Sequence, residues 1–253
     1  MNFNPRQRRL LEQVRAQVAI SVEDLARQLN VTPQTVRRDI KQMEEAKLLM
    51  RYHGGVCLPS SVENIDYSQR QSMNSDAKHR IAAAVAARVP PACSLLINIG
   101  TTTEEVARSL THHPDLHVVT NNLNVAAILA DNPTCEVIVA GGVVRNRDRG
   151  IVGEVTVDFI RQFKVDIGVI GISSIEPDGT LRDFDPREVK VAQAIIEQSR
   201  AVWLVADQDK FGRQALVRVA HLAQVDVLFT DAPPPAAMRS LLEEAGVEVV
   251  VAP

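Results

Sequence analysis

The amino-acid sequence predicts an α/β protein with two domains, a small helical one at the N-terminus and a larger one built on a mostly parallel sheet. Three observations support this prediction. Helical periodicity dominates the first 47 residues, short apolar runs alternate with helical patterns from residue 94 onward, and the net charge changes sign between the two regions. We expect the domains at residues 1–57 and 76–253, joined by a polar linker at 58–75.

The composition is that of a globular protein, with 45% hydrophobic and 23% charged residues in a chain of 253. The longest apolar runs, at residues 94–99 and 248–252, are much shorter than the roughly 20 residues of a membrane-spanning helix. The N-terminal stretch lacks the apolar core of a signal peptide, so we expect a cytoplasmic protein. The three cysteines are widely spaced, which predicts neither a disulfide framework nor a metal site: Cys57, Cys93 and Cys135.

The whole-chain net charge of −3 conceals a division. Residues 1–57 carry ten Lys and Arg against six Asp and Glu, a net charge of +4, so residues 58–253 carry a net charge of −7. Opposite charges on the two domains indicate different partners, and the basic one suits a polyanion such as nucleic acid.

The basic domain begins with two amphipathic segments. The first, over residues 5–17, places Leu10, Leu11 and Val14 on one helical stripe. The second follows Ser21, whose hydroxyl is positioned to cap the helix while Asp24 answers from the third helical position. Both segments therefore bury one face, as helices of a small bundle do.

The third predicted helix, over residues 33–46, follows Thr32 as its N-cap and has proline at its first position, where the missing N–H costs nothing. At a rotation of about 100° per residue, Val36, Ile40 and Met43 fall on the buried side. The remaining face presents amide, hydroxyl and cationic groups together: Gln34, Thr35, Arg37, Arg38 and Lys41.

A charged helix face is most often simply solvated, but the surroundings of this one favour DNA binding. Two short helices joined by three residues describe a helix-turn-helix, whose second helix enters the major groove. Arg and Gln form bidentate bonds with the edges of guanine and adenine. Residues 48–56 alternate weakly and turn at Gly-Gly, which predicts a hairpin, the wing, with Arg51 and His53 near phosphate.

Seven β-rich runs are predicted in the larger domain, with helical patterns between most of them. They lie at residues 94–99, 117–120, 136–140, 165–171, 201–205, 225–230 and 247–251. This alternation predicts right-handed βαβ units and a mostly parallel sheet, whose ligands bind at the carboxyl ends of the strands.

The first three of these strands each run into a loop of small polar residues. Glycine allows close approach of the backbone, and threonines that lead into a helix N-terminus form an anion-binding arrangement. Each loop alone is also ordinary turn sequence, so their convergence on one edge carries the prediction. The candidate ligand contacts are Gly100, Thr101, Thr102, Thr120, Asn121, Gly141 and Gly142.

Two charged segments near further strand ends complete the predicted effector site. The first contains Asp183, Asp185, Glu188 and Lys190, and the second contains Lys210. Asp185, directly before proline, also serves as a helix N-cap. Carboxylates that accept hydroxyl protons beside a cation that binds phosphate suit a small phosphorylated polyol. No glycine-rich dinucleotide or Walker motif occurs, so we expect no nucleotide cofactor.

The strings VTPQTVRRDI and LLMRYHGG resemble the DNA-binding domain of the DeoR family of bacterial repressors. The strings IGTTTEEVA, VVTNNLNVA, VAGGVVRNRD, FDPREVK and DQDKFGR are similar to the sensor domain of the same family. The resemblance spans nearly the whole chain. It implies a winged helix-turn-helix joined to a sensor domain with the fold of ribose-5-phosphate isomerase, which binds sugar phosphates.

The resemblance implies a repressor of a carbon-catabolic regulon that leaves operator DNA on binding a phosphorylated polyol or sugar, glycerol 3-phosphate being favoured. It also implies a homodimer or homotetramer on double-stranded operator DNA. The chain departs from the family at Asp209, where a serine is usual, so we leave Asp209 out of the site. The alternative is a sugar-phosphate isomerase with an appended DNA-binding module, for which the acidic and lysine residues named above would supply acid–base groups. We expect no enzymatic activity.

Overall fold

The chain divides into two compact units, residues 1–65 and residues 66–253. The structure, a computed structural model, describes residues 4–17, 19–45, 48–52, 55–57 and 66–253. Residues 67–72 and 75–86 are helical and belong to the second unit, whereas the polar composition predicted a linker reaching residue 75. Tyr67 explains this difference, because its hydroxyl donates a hydrogen bond to Glu104, deep in the second unit.

The first unit contains three helices and a three-stranded antiparallel sheet. Its elements are α1 (Pro5–Gln17), β1 (Ala19–Ser21), α2 (Val22–Leu29), α3 (Pro33–Glu45), β2 (Met50–Tyr52) and β3 (Gly55–Cys57). The predicted caps are present: Ser21 Oγ accepts from the amide of Asp24 at 3.0 Å, and Thr32 Oγ1 accepts from the amide of Thr35 at 3.3 Å. Hydroxyl caps of this kind satisfy helix amides that would otherwise lack a partner.

The wing prediction is confirmed for the residues that the structure describes, since β2 and β3 pair as an antiparallel hairpin. The turn between them lies outside the described residues. Strand β1, which sequence periodicity missed because it has only three residues, pairs with β3 and completes the sheet. The core of the unit is formed by the apolar stripes of the three helices together with residues from this sheet: Leu10, Leu11, Val14, Ile20, Val22, Leu25, Ala26, Val36, Ile40, Met43, Leu49 and Val56.

An ion pair fastens α1 to α3 beneath the recognition face. Arg6 Nε lies 2.6 Å from Asp39 Oδ2 and Arg6 Nη2 lies 3.0 Å from Asp39 Oδ1, a bidentate arrangement. Gln7 adds a hydrogen bond of 2.6 Å to Gln42. Asp39 is buried and part of the Arg6 side chain reaches solvent, so the pair sets the position of α3 without isolating a charge from water.

The second unit is a doubly wound α/β domain. Its helices are α4 (Tyr67–Ser72), α5 (Ser75–Ala86), α6 (Thr101–Ser109), α7 (Leu123–Leu129), α8 (Glu154–Ile160), α9 (Pro186–Glu197) and α10 (Ala236–Glu244). Its strands are β4 (Ser94–Ile97), β5 (His117–Thr120), β6 (Glu136–Val139), β7 (Val143–Arg145), β8 (Gly150–Val152), β9 (Val165–Gly171), β10 (Ser174–Ile175), β11 (Thr180–Asp183), β12 (Ser199–Val205), β13 (Val217–His221), β14 (Val227–Thr230) and β15 (Glu248–Val251).

The seven predicted strands form one fully parallel sheet in the order β15, β14, β12, β9, β4, β5, β6. Reading along the chain, the strand order runs outward from β4 to β6 and then resumes from β9 on the other side. The topological switch point therefore lies between β4 and β9. In open α/β sheets the ligand crevice forms outside the carboxyl ends of the strands at such a point.

Side chains alternate between the two faces of the sheet and build two cores. On one face Leu95 and Ile97 pack with α5, α6 and α7, and on the other Leu96 packs with α8, α9 and α10. The burial of Cys93 raises the pKa of its thiol to about 11, which leaves it unreactive at neutral pH. Among the described residues, no helix has both the length and the apolar character to cross a membrane.

Two small antiparallel additions escaped the sequence prediction because their strands are only two to five residues long. Strands β10, β11 and β13 form a three-stranded sheet, and β7 and β8 form a hairpin. Both additions supply side chains to the charged region around the switch point, as described below.

Candidate functional site

The recognition helix α3 separates its buried and exposed residues as predicted. Val36, Asp39, Ile40 and Met43 are buried. The face predicted to contact DNA lies outward, with four residues exposed and Thr35 half-buried; the exposed ones are Gln34, Arg37, Arg38 and Lys41. The sequence thus predicted the orientation of this helix correctly, because its pattern is local.

The exposed cations of this face differ in the ion pairs and hydrogen bonds that they make within the protein. Arg37 lies 3.4 Å from Glu23, and Arg51 of the wing pairs with Glu44 at 2.9 Å while donating to the carbonyl of Arg37 at 3.1 Å. No ion pair or side-chain hydrogen bond holds Arg38 within the part of the chain that the structure describes. Its guanidinium is therefore available for a base edge or a phosphate. His53, the last predicted DNA contact, lies outside the described residues.

A polar pocket occupies the switch point of the larger sheet. The pocket gathers six of the predicted effector contacts, Gly100, Thr101, Thr102, Asp183, Glu188 and Lys210. It also contains Arg70, Ile99, Gly171, Ile172 and Ser173, which the sequence analysis did not select. The first turn of α6 thus opens into the same space as a lysine and an arginine, and backbone amides of a helix N-terminus favour anions.

Asn98 holds the two central strands together directly beneath the pocket. Its side-chain amide donates to the carbonyl of Gly171 at 3.1 Å, and its Oδ1 accepts from the amide of Gly171 at 2.9 Å. The hydroxyl of Thr103 donates to the carbonyls of Asn98 and Gly100 at 2.9 and 2.8 Å. These bonds fix the loop that leads from β4 into α6, so the helix N-terminus is positioned before any ligand arrives.

Three cationic side chains converge around this helix N-terminus. Lys210 and Arg70 line the pocket, and the buried Lys78 lies behind it, donating from Nζ to the carbonyl of Arg70. Burial, followed by repulsion from Lys210, lowers the pKa of Lys78 to about 8. Burial also lowers the pKa of Lys210, although Asp207 opposes the shift. Both lysine pKa values are thus lowered chiefly because burial disfavours the charged form, and neighbouring cations add to the effect.

Glu188 of the pocket belongs to a network of carboxylates centred on Arg145. The guanidinium of Arg145 lies 2.6 Å from Glu188, 2.6 Å from Asp148 and 2.9 Å from Asp185. Burial opposes its charge, yet these carboxylates raise the pKa of Arg145. Burial and the neighbouring Asp183 raise the pKa of Glu188. The pocket therefore presents hydrogen-bond acceptors for hydroxyl groups as well as cations for phosphate.

Asp183 is oriented inside the pocket by two further bonds. Its Oδ1 accepts from the hydroxyl of Ser173 at 2.9 Å and from the amide of Phe184 at 2.7 Å. Ser173 also lines the pocket, so the pair forms a polar wall at the carboxyl end of β9.

Four other residues predicted as effector contacts lie outside the pocket lining, at the last residue of β5 and in the loops after β5 and β6. Thr120 donates its hydroxyl to the carbonyl of Ile97 at 2.7 Å, and Asn121 donates to the carbonyl of Ile151 at 2.9 Å. The carbonyl of Gly141 accepts from the hydroxyl of Thr156 at 2.8 Å. Gly142 has φ +149°, and a Cβ there would lie 2.2 Å from the Thr156 hydroxyl. These residues shape the turns.

Two charged residues predicted as contacts also lie outside the pocket lining. Asp185 caps α9 by accepting from the amide of Arg187 at 2.9 Å, and it is one of the partners of Arg145. Its contribution to the pocket is therefore indirect, through the group that holds Glu188. Lys190 is exposed, with Nζ 3.8 Å from Glu154. The rotation of α9 turns Lys190 toward solvent.

Sequence reasoning missed Arg70, Lys78 and Arg145 for different reasons. Arg70 lay in a stretch interpreted as linker, Lys78 resembles an ordinary helix lysine, and Arg145 sits on a strand too short to detect. One signal was present: Arg145 and Asp148 belong to the string VAGGVVRNRD, which carried the family resemblance. Asp209, which we left out of the site, accepts from the side-chain amide of Asn74 at 2.8 Å and does not line the pocket.

Metal binding finds no support within the described ranges, where no cluster of three or more His, Cys, Asp or Glu could hold an ion. The pocket lining instead combines two cations, two carboxylates and the first turn of α6. A winged helix-turn-helix with an exposed cationic helix, on the same chain as a doubly wound domain with such a pocket, defines a ligand-responsive DNA-binding regulator.

Comparison with known proteins gives the family. Residues 6–62 match the DeoR-like helix-turn-helix domain and residues 73–232 match the DeoR C-terminal sensor domain. The chain belongs to the DeoR family of transcriptional repressors. This assignment supports the regulator over the isomerase alternative, because the similar proteins described next are named as repressors.

Two relatives cover nearly the whole chain. The glycerol-3-phosphate regulon repressor of Escherichia coli K12 is 44% identical over 249 residues, spanning 98% of this chain and 99% of that protein. The repressor of the same name from Haemophilus influenzae is 46% identical over 244 residues, spanning 96% and 95%. Ribose 5-phosphate isomerase from Methanocaldococcus jannaschii aligns over 55% of each chain with a TM-score of 0.40 and 12% identity, a likeness too weak to support an argument.

Proposed function

We propose that this protein is a cytoplasmic repressor of the glycerol-3-phosphate regulon that leaves its operator when glycerol 3-phosphate binds the pocket at the switch point. One observation carries the proposal: Lys210, Arg70 and the first turn of α6 share a pocket with Asp183 and Glu188. That combination matches a phosphate group attached to a short polyol. The names of the two bacterial relatives support the same effector.

Charge complementarity favours a phosphorylated ligand over a neutral sugar. In the unliganded pocket, burial and mutual repulsion depress the lysine pKa values. A phosphate dianion relieves this repulsion, and the amides at the start of α6 satisfy its oxygens. The hydroxyls of the glycerol moiety donate to the carboxylates of Asp183 and Glu188. A ligand lacking phosphate would desolvate these cations without giving them a negatively charged partner, so we expect free glycerol to bind far more weakly.

On DNA, we propose that a homodimer or homotetramer presents paired α3 helices to successive major grooves of a pseudo-palindromic operator. Gln34, Arg38 and Lys41 supply base and phosphate contacts, with Thr35 and Arg37 at the flanks. The wing residue Arg51, held by Glu44, lies beside this face and supplies a further phosphate contact.

Repression and effector binding are linked by reciprocity. If effector weakens operator binding by a given factor, operator weakens effector binding by the same factor, typically about 5- to 150-fold for a coupling of about 1–3 kcal/mol. The effector-bound state then has a spacing or orientation of the two α3 helices that no longer matches the operator.

Operator binding with and without effector tests the proposal. The DNA probe is the tightest duplex recovered by selection from a random library with effector-free protein, and its affinity is measured at fixed salt with and without sn-glycerol 3-phosphate. We expect about 5- to 150-fold weaker binding with the effector. Free glycerol and inorganic phosphate at equal concentration serve as controls. Identical operator affinity with and without sn-glycerol 3-phosphate would contradict the assignment of this effector.

A further inference from the structure

Helix α4 occupies a special place in the chain, because it begins two residues after the first unit ends at residue 65. The same helix contributes Arg70 to the effector pocket. Thus α4, the first helix of the second unit, also lines the effector pocket.

No apolar core anchors this helix to the sensor. None of its six side chains is buried, and its attachment rests on polar contacts made by Tyr67 and Arg70. A helix of six residues has little stability of its own, so those contacts determine whether it stays in place.

Tyr67 attaches α4 to the helix that opens into the pocket. Its hydroxyl donates to Oε2 of Glu104 at 2.7 Å, and Glu104, in the first turn of α6, is only 1% exposed. Asn124 donates both to the Tyr67 hydroxyl at 2.9 Å and to Oε1 of Glu104 at 3.1 Å. Burial and the charge of Glu104 raise the pKa of the phenol, which keeps it protonated as a donor.

Arg70 makes the second attachment, through groups that surround the pocket. Its carbonyl accepts from Lys78 Nζ and, at 3.4 Å, from the hydroxyl of Thr101. Its guanidinium lies 3.6 Å from Asp148, which is itself paired with Arg145 at 2.6 Å. Any anion that enters the pocket beside Arg70 alters the balance between these contacts, because it competes with Asp148 for the same cation.

We infer that α4 is the coupling element of the sensor: it responds to the anion through Arg70, and Tyr67 holds it to α6 so that the response reaches the chain leading to the DNA-binding unit. Tyr67 acts as a positioning residue, since its contacts are with protein groups. The inference rests on the proposed function and adds the route by which occupancy of the pocket changes operator binding.

The substitution Tyr67→Phe tests this role, because it removes the hydroxyl and leaves the ring in place. The coupling factor is the ratio of operator dissociation constants with and without saturating sn-glycerol 3-phosphate, measured on the full chain with the selected duplex. We expect this factor to fall about fivefold or more, while calorimetric affinity for sn-glycerol 3-phosphate and operator affinity without effector each stay within about threefold.

Ser199→Ala is the matched control. Ser199 buries a hydroxyl that donates to the carbonyl of Ile195 at 2.6 Å, at the amino end of β12 and thus at the opposite edge of the sheet from the pocket. Its loss should leave the coupling factor within about twofold. A fall in both variants would indicate general destabilisation and contradict a specific role for Tyr67.

Hydrogen exchange gives a readout that does not depend on any variant. The amides of Arg70 and Met73 donate to the carbonyls of Asp66 and Gln69, both at 2.9 Å, and report whether α4 is formed. In the wild-type protein, saturating sn-glycerol 3-phosphate should change their exchange rates about tenfold or more, with inorganic phosphate as the partial ligand. Unchanged exchange at these amides in a protein that binds the effector would overturn the inference.

The possible outcomes distinguish failure of the proposed function from failure of the inference about α4. A wild-type protein whose operator affinity ignores sn-glycerol 3-phosphate overturns the proposed function and the inference with it. A responsive wild type with an equally responsive Tyr67→Phe variant overturns the inference alone. Loss of effector binding in Tyr67→Phe also overturns it, because the tyrosine would then act in binding and not in coupling.

Discussion

The recognition face of α3 and the effector pocket both contain cations that suit phosphate, but the two sets differ in their exposure to solvent and in the carboxylates near them. On α3 the side chains of Arg38 and Lys41 are exposed, and no carboxylate pairs with either of them within the described residues. At the pocket, Lys210 in the lining and Lys78 behind it are desolvated, and the carboxylates of Asp183 and Glu188 also line the pocket.

The difference follows from solvation and determines how each site works. Exposed cations need no compensating carboxylates, attract DNA over a distance and lose strength as salt rises. Desolvated cations interact more strongly with a bound anion than exposed ones do, so occupancy of the pocket would change their electrostatic energy substantially. Exposed cations therefore suit the binding of a long polyanion such as DNA, and desolvated cations suit a response to one small dianion.

The largest predicted effect is on the free energy of unfolding, and it comes from the buried Lys78. Its pKa is about 8 in the folded protein and near 10.4 in an unfolded chain, so between these values the unfolded state binds more protons and stability rises with pH. Relative to Lys78→Met, the free energy of unfolding of the wild type should increase by on the order of 3 kcal/mol from pH 8 to pH 10.5.

Denaturant unfolding of both proteins at several pH values measures this difference, and pH effects at groups that do not interact with Lys78 cancel in it. Lys190→Met serves as the control for the loss of one positive charge at an exposed position. A difference between wild type and Lys78→Met that does not change with pH would show that Lys78 is not desolvated as the structure describes.

Effector affinity should depend next most strongly on Lys210. Removal of a charged hydrogen-bonding partner from a buried phosphate site costs about 1.5–3 kcal/mol, so Lys210→Gln should weaken sn-glycerol 3-phosphate binding by about 10- to 150-fold. Operator affinity without effector should remain at the wild-type value. Lys190→Gln, on the exposed face of α9, should bind the effector within about twofold of wild type. Equal losses in the two variants would remove Lys210 from the site.

Among the exposed residues of α3, substitutions of Arg38 and Arg37 should distinguish recognition of base edges from sequence-independent binding of phosphate. Within the described residues, Arg38 makes no ion pair or side-chain hydrogen bond, whereas the guanidinium of Arg37 lies 3.4 Å from the Glu23 carboxylate. We expect Arg38→Ala to relax discrimination between operator and mismatched duplexes by about 1–3 kcal/mol. Arg37→Ala should weaken all duplexes evenly and lessen the salt dependence. Operator and mismatch titrations at three salt concentrations measure both, and the reverse pattern would exchange the two roles.

The smallest predicted effect concerns the ion pair that holds α3 in place. Asp39→Asn weakens the bidentate bond from Arg6, and because part of Arg6 reaches solvent the loss of stability should be about 1–2 kcal/mol. Glu44→Gln on the same helix breaks the exposed pair with Arg51 and should cost about 0.5 kcal/mol or less. Thermal unfolding of the two full-length variants beside the wild type compares these losses of stability, and equal losses would contradict the distinction between buried and exposed pairs.

Local sequence determined a large part of this protein. Helix periodicity placed Val36, Ile40 and Met43 inward and the cationic residues outward, and Ser21 and Asp185 were recognised as caps from their immediate neighbours. All seven strands of the parallel sheet were predicted to within a few residues. These features depend on contacts between residues a few positions apart, which a linear pattern records.

Tertiary structure alone decided which charged residues meet. Asn98 reaches Gly171 across 73 positions, and Asn74 reaches Asp209 across 135. Such contacts bring the α4 segment, the start of α6 and Lys210 to one pocket, while Thr120 and Gly142, equally attractive as sequence, serve the turns. The physical reason is that desolvation and pairing of charges depend on three-dimensional proximity, whereas periodicity and capping are written into neighbouring residues.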